Sequence, residues 1–343
     1  MGTSVLSGMT WCRAIEPVVL RQIDEPLAEK ELAHEIEALT PIDDDVSGAV
    51  REQYEQNPYP RWSGGVFNNA PMKIDAYLRT HPIMIDLGDY VSPENPSVLV
   101  AGCGTGQHAL AAAKRYEGAS LTAIDLSRRS LAYGKRMAKK FGIDNVMFRQ
   151  ADILNLVDQG LAFDIIECSG VLHHMADPIA GWQSLVSMLR PQGLMKIALY
   201  SETGRQQVVR ARAMIAERKY GTTSEDMRRC RRDIIDAAKN GDAGFAQLLD
   251  FNDFYSLSGC RDLLFHVQEH RFNLLQIEEI LAPLSLRFLG FEIVQSQTAE
   301  QFSETNPTLE AWTSLQTWHM FEQQNPDTFG AMYQFWCQKE TDA

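Results

Sequence analysis

Val98-Leu99-Val100-Ala101-Gly102-Cys103-Gly104-Thr105-Gly106 is the stretch on which the fold turns. Its apolar start reads as a buried strand. The G-x-G-x-G that follows makes a tight turn whose backbone can approach a ligand at the N-terminus of the next helix. A side chain at Gly102, Gly104 or Gly106 would obstruct that approach. Outward from this point, short apolar runs alternate with amphipathic stretches, the pattern of βαβ units on a parallel sheet. Strands are expected at Val98–Ala101, Ser120–Ile124, Val146–Arg149, Phe163–Cys168 and Leu194–Tyr200, and helices over 106–117, 128–141 and 177–189. Asp177-Pro178 reads as a helix start and Pro191-Gln192-Gly193 as a turn.

The flanks are organised differently. Leu27, Leu32, Ile36 and Leu39 carry a modest helical period that ends at Pro41 and the acidic run Asp43-Asp44-Asp45. Tyr54, Asn57-Pro58-Tyr59-Pro60, Arg61 and Trp62 then set large aromatics into a proline-rich turn region. Beyond the fifth strand the chain is mostly helical and charged. It then offers a helix at Leu274–Leu284, a strand at Leu286–Val294, a helix at Leu309–Glu322 and a strand at Met332–Gln338. The expected architecture is an α/β fold with a doubly wound, mainly parallel seven-stranded sheet. Residues 1–70 form a helical and aromatic lead-in, 71–200 a ligand-binding core, 201–273 a helical insertion that caps the substrate, and 274–343 the completion of the sheet.

Composition narrows the class. With 343 residues, 45% of them hydrophobic and 22% charged, the chain can bury a large core and is neither disordered nor fibrous. No apolar run approaches the ~20 residues of a membrane span, and Met1-Gly2-Thr3-Ser4 lacks the basic flank of a secretory signal. A cytoplasmic protein is expected. The cysteines (Cys12, Cys103, Cys168, Cys230, Cys260 and Cys337) form no C-x-x-C pair, so reduced thiols and no metal centre are expected. A net charge of −13 disfavours nucleic acid and anionic membrane as partners. One stretch departs from this: residues 205–232 hold nine basic residues against three acidic ones, an excess of six. That stretch reads either as a solvated helix face or as a docking surface for RNA or protein.

Asp125 ends the second strand, roughly 20 residues beyond the glycines, where a carboxylate can accept hydrogen bonds from ribose hydroxyls. A dinucleotide site prefers a third glycine at the position held here by Gln107, so the spacing favours S-adenosylmethionine. From about residue 95 to 200 the chain resembles the class I S-adenosylmethionine-dependent methyltransferases. Gln150-Ala151-Asp152-Ile153 resembles the family's adenine segment, Phe163–Ile166 through Leu172-His173-His174 its fourth strand and active-site loop, and Leu189–Leu194 the turn into its fifth strand. The resemblance implies that Gly102, Cys103, Gly104, Gly106, Asp125, Leu126, Asp152, Ile153 and Ser169 hold the cofactor, Asp152 accepting from the adenine amino group and Ile153 packing on the ring. His173 and His174 would face the methyl group, where an imidazole can take a proton from the acceptor. Structural loop histidines are the alternative.

The family's frequent acid in the first strand is absent, Val100-Ala101 standing in its place. Cofactor binding is therefore expected to lean on Tyr54 and Arg61, with aromatic faces over the sulfonium and the guanidinium on a carboxylate. Tyr59 and Trp62 from the same segment, and Tyr255, Arg261 and His266 from the insertion, are the expected acceptor contacts. Asn57-Pro58-Tyr59-Pro60 precedes the first strand, so the role of the amino-methyltransferase tetrad that follows the fourth strand is not carried onto it. A small-molecule O, N or C nucleophile is the expected acceptor. Alternatives are a protein or RNA side group met by the basic stretch, and a non-catalytic cofactor-binding subunit. Remotely, His266-Val267-Gln268-Glu269-His270 fits the H-x-x-E-H pattern of the inverted zinc peptidases, with Glu278 or Glu279 as a third ligand. Asn57–Trp62, Asp262–Phe272 and Met332–Gln338 also resemble a bacterial methyltransferase subgroup sometimes joined to tetratricopeptide repeats.

Overall fold

The computed structural model describes residues 9, 11–65, 70–80, 85–293 and 296–341. Ser97–Ala101 forms β1, and every residue after Ser97 in it is buried. The other strands are β2 (Ser120–Asp125), β3 (Val146–Gln150), β4 (Phe163–Ser169), β5 (Leu189–Tyr200), β6 (Leu286–Phe291) and β7 (Met332–Lys339). They make one seven-stranded sheet in the order β3-β2-β1-β4-β5-β7-β6. β1 to β5 pair in parallel, and β7 runs antiparallel to both β5 and β6. The order reverses between β1 and β4, so a crevice opens at the C-terminal ends of these strands, where ligands bind in such sheets.

Strand alternation sends residues to two layers. Val98 and Val100 pack with α3 (Ile74–Thr80), α4 (Gln107–Arg115) and α5 (Arg128–Phe141), through residues such as Leu78, Leu110 and Met137. Leu99 and Ala101 face the opposite layer, built from α6 (Pro178–Ser187), α10 (Leu274–Leu281), α11 (Ser296–Thr305) and α12 (Leu315–Gln324). Between these, α7 (Gln206–Arg218), α8 (Ser224–Lys239) and α9 (Leu257–Phe265) bury their own cluster, including Val208, Met227, Ile234 and Leu263. The insertion thus has its own core. Before β1, α1 (Glu25–His34) is tied to α5 by ion pairs from Arg136 to Glu25 and Glu29, and α2 (Asp45–Gln56) starts on an Asp44 cap.

Several expected boundaries move, each for a local reason. β5 begins at Leu189 rather than Leu194, because a register shift pairs Phe163 with Leu189 and Ile165 with Leu194, absorbing the Pro191–Gly193 turn within the strand. The expected helix over Leu309–Glu322 is two helices: Leu309–Trp312, then α12, whose N-cap Ser314 accepts from Thr317 N. α10 stops at Leu281, Pro283 following in a 3-10 turn. β6 ends at Phe291, and Val294, like Met1–Ser4, lies outside the described residues. α11 was not anticipated.

Candidate active site

The glycine turn builds one wall of the crevice. Gly104 sits at φ +52°, and a Cβ there would lie 2.9 Å from the Tyr59 carbonyl oxygen, so the aromatic lead-in docks directly on the turn. The Thr105 hydroxyl completes this contact by donating to the Pro60 carbonyl. Gly106 serves a different purpose: its missing side chain lets α4 approach Gly134 of α5, and it does not line the cavity.

Two carboxylates stand at the strand ends beside the glycine turn. Asp125 Oδ2 accepts from Gly104 N at 2.8 Å and Oδ1 from Ser127 N at 2.9 Å. Burial pushes the Asp125 carboxyl up to about 6, and these two amides oppose the rise. Asp152 Oδ1 accepts from Leu154 N at 3.1 Å, while its Oδ2 is buried with no partner at full hydrogen-bond geometry, the Ser47 hydroxyl standing beside the carboxylate. Burial also raises the Asp152 carboxyl. A buried oxygen left without a donor costs stability unless a ligand supplies one, so Asp152 Oδ2 fits an amino group delivered by a cofactor.

A cavity of about 340 Å³ joins these groups to the loop after β4. Tyr54, Tyr59, Gly102, Cys103, Gly104, Asp125, Leu126, Asp152, Ile153, Ser169 and His174 all line it. Ser169 Oγ is a second buried polar atom with no partner. At the far end Tyr54 OH donates to Asp262 Oδ1 at 2.6 Å, linking α2 to α9. Burial pushes the Asp262 carboxyl up to about 7.

The histidines divide. His174 reaches the cavity, and its Nδ1–H donates to the Gln268 carbonyl at 2.7 Å. His173 does not line it. Its ring stacks on Tyr200 with centroids 3.6 Å apart, and its Nδ1 accepts from Tyr200 N at 3.2 Å. Burial holds both imidazoles well below the ordinary histidine range, so both are neutral near pH 7.

Other expected contacts lie elsewhere. Trp62 is buried against Phe141, with Nε1 donating to the Thr105 carbonyl, and therefore braces the lead-in rather than touching an acceptor. Arg61, between Pro60 and the inward Trp62, is exposed and does not line the cavity. Tyr255 is exposed and donates to the Leu249 carbonyl, and Arg261 donates to Gln56 Oε1; neither lines the cavity. His266 sits behind the lining, its ring stacked 3.5 Å from that of His174. The peptidase motif is broken. α9 stops at Phe265, Glu269 is held by Arg205 at 2.7 and 3.2 Å, and His270 meets Gln268, so the three motif residues do not share a helix face.

Sequence reasoning missed Ser47, Val50, His108, Tyr200 and Asp262 as lining residues. Asp262 lay within a stretch already marked as pocket-like, and its place one turn before His266 on a helical register was the available signal. The six cysteines are free, five of them buried. Among the described residues no helix is long and apolar enough to cross a membrane.

A doubly wound sheet with a glycine turn after β1, an acid closing β2 and an acid after β3 defines a class I methyltransferase core. Residues 93–242 match the family model described as a methyltransferase domain, and the chain carries an S-adenosylmethionine-dependent domain of that class. The uncharacterized protein syc1184_c of Synechococcus sp. is 30% identical over 240 residues, covering 66% of this chain and 56% of that one. A ubiquinone biosynthesis O-methyltransferase of Paracidovorax citrulli is 30% identical over 115 residues, 33% of this chain and 48% of that one. The chain spans about half the length of these curated relatives. Among solved structures, PKMT2 from Rickettsia typhi superposes with a TM-score of 0.58 at 19% identity, covering 83% of this chain and 55% of that chain. The same protein in complex with AdoHcy gives 0.58 at 18% identity over the same shares. These likenesses concern the fold.

Proposed function

We propose that this protein transfers a methyl group from S-adenosylmethionine to a small-molecule nucleophile held at the His174 end of the cavity. The observation that carries the reading is the continuity of one cavity from the partnerless Asp152 Oδ2 to His174 and Asp262. Asp125 would accept from the ribose hydroxyls, Asp152 Oδ2 from the adenine amino group, and Ile153 would pack on the adenine. When bound, the sulfonium supplies an electrophilic methyl group.

The chain's own contribution is positioning and desolvation. Tyr59 and Pro60 cover the glycine turn, and Tyr54 walls the far end of the cavity through its bond to Asp262. His174 is neutral, and because its Nδ1–H is used by the Gln268 carbonyl, its Nε2 lone pair is free to take the acceptor's proton. His173, stacked beneath Tyr200, is a positioning residue. The similarity to a ubiquinone biosynthesis O-methyltransferase supports an oxygen acceptor.

The ion pairing of the basic stretch speaks against an RNA or protein acceptor. Arg205 is paired with Glu269, Arg210 with Asp242, Arg218 with Asp233 and Arg229 with Asp226, and the three carboxylates from outside the stretch offset half of its excess of six. Calorimetry with S-adenosylmethionine and S-adenosylhomocysteine, comparing wild type with Asp125→Ala, tests the cofactor site. The expected loss is about 1.5–3 kcal/mol of binding, the range for a hydrogen bond to a charged group, and an unchanged affinity would reject the assignment. Labelled-methyl transfer to a panel of hydroxyl, amine and carbon acceptors then separates an enzyme from a non-catalytic binding subunit.

A further inference from the structure

We propose that His174, His266 and Asp262 form a binding site for a divalent transition-metal ion at the acceptor end of the cavity. The three side chains are buried and offer one ligand atom each, all within 4.8 Å of one another. Their sequence separation hid the arrangement. His174 follows β4, whereas Asp262 and His266 come from α9 and the residue after it.

The hydrogen bonds around the rings match what metal-binding histidines need, whereas the rings themselves are stacked, 3.5 Å between centroids and 20° between planes, and must turn for both Nε2 atoms to face one ion. A ligating imidazole donates its other ring N–H to a carbonyl or carboxylate, which fixes its tautomer and aims the free nitrogen. Here one carbonyl does this for both rings: Gln268 O lies 2.7 Å from His174 Nδ1 and 2.8 Å from His266 Nδ1. Gln268 N approaches His266 Nδ1 only at 3.3 Å, so the shorter contact assigns the proton to Nδ1. Both Nε2 atoms are thereby left as lone-pair donors; a bound ion would take the His174 lone pair, so proton acceptance by His174 belongs to the metal-free protein and the two roles exclude each other. His266 Nε2 is buried with no partner, an acceptor for which the protein supplies nothing. The carboxylate is braced in the same way, Asp262 Oδ1 accepting from Tyr54 OH at 2.6 Å.

Two arginines lie near the ligands: Arg205 is neutralised by a buried bidentate pair with Glu269, and Arg212 donates to the Leu264 and His266 carbonyls. Two imidazoles and one carboxylate suit zinc, cobalt, nickel or ferrous iron, whereas magnesium and calcium prefer all-oxygen sites. Three protein ligands leave coordination positions open. His174 and Asp262 both line the cavity, so the open side faces the acceptor. That the metal would hold an acceptor oxygen rests on the methyl-transfer reading above; binding of the metal does not.

The test is a titration of the chelator-stripped full chain with Co²⁺, followed by visible absorption, with Zn²⁺ as competitor. One equivalent of Co²⁺ with a ligand-field spectrum, displaced by Zn²⁺, is expected. His266→Gln and Asp262→Asn should each weaken binding by more than the roughly 10–100-fold that an outer-shell change costs. The exposed His34→Gln should leave binding unchanged. Cofactor calorimetry on the same variants reports whether the core is folded. If the chain binds the cofactor but takes up no Co²⁺, or if both variants bind Co²⁺ as wild type does, the metal site is wrong. If Co²⁺ binds as expected and the cofactor does not, the metal site stands and the methyltransferase reading fails.

Discussion

Glu167 of β4 is the direct cross-strand partner of Val100 in β1. The neighbouring strand thus carries a buried acid beside the position where the first strand has none. The Glu167 carboxylate is buried and hydrogen-bonded to His108 and Tyr116, with Arg115 at 3.5 Å. His108 lies in the first turn of α4 and lines the cavity, so Glu167 fixes from below a side chain that faces the cavity.

Replacing that acid should be costly. Burial alone would raise the Glu167 carboxyl, but His108 and Arg115 hold it well below its ordinary value of 4.5. A depressed folded-state value means that the carboxylate stabilises the fold above pH 4.5 and that this stabilisation is lost as the pH falls below it. Glu167→Gln should destabilise the protein by about 3 kcal/mol at neutral pH, as breaking a buried ion pair does. In thermal melts the variant should also lose part of the acid sensitivity of the wild type.

Asp125 gives the opposite sign. Its folded-state value is raised from 3.8 to about 6, so ionised Asp125 costs the empty protein stability as the pH rises through that interval. If the ionised form accepts from the ribose hydroxyls, cofactor affinity should fall as the pH drops below about 6. Calorimetry across that range should show the inflection in wild type and a flat profile in Asp125→Asn. An unaltered inflection in the variant would assign the titration to another group.

Gly104→Ala tests the docking of the aromatic lead-in. The new Cβ would lie 2.9 Å from the Tyr59 carbonyl at a left-handed backbone position. The conformational term alone is about 1–2 kcal/mol, and backbone on both sides of the contact leaves little room to relax. Lower thermal stability together with weaker cofactor binding is expected. A loss of stability with full cofactor affinity would show that the lead-in does not shape the cofactor site.

His174→Gln and His173→Gln should separate in kinetics. If His174 accepts the proton, its variant should lose roughly 10²–10⁴ in kcat, the usual range for general base catalysis, with cofactor affinity intact. His173 sits behind Tyr200 and has a buried Nε2 without a partner, so its variant should act mainly on stability. Equal kcat losses with equal stability would overturn this division.

The sequence by itself determined the sheet, the glycine turn, Asp125 and Asp152, because these depend on signals a few residues long. A period of two marks a strand, a period near 3.6 marks a helix, and the position of an acid at a strand end follows from both. Tertiary structure decided the His174 end of the cavity. Tyr54 and Asp262 are 208 positions apart and meet only because the lead-in and the insertion close on the same crevice. Within the lead-in, Tyr59 faces the cavity, Arg61 is exposed and Trp62 enters the core, a division that an irregular proline-rich loop does not announce by any repeat. The basic stretch likewise looked unbalanced in one dimension, whereas folding brought Asp233, Asp242 and Glu269 to its arginines. Packing across distant segments selects such partners, and no local pattern in the chain encodes which segments will touch.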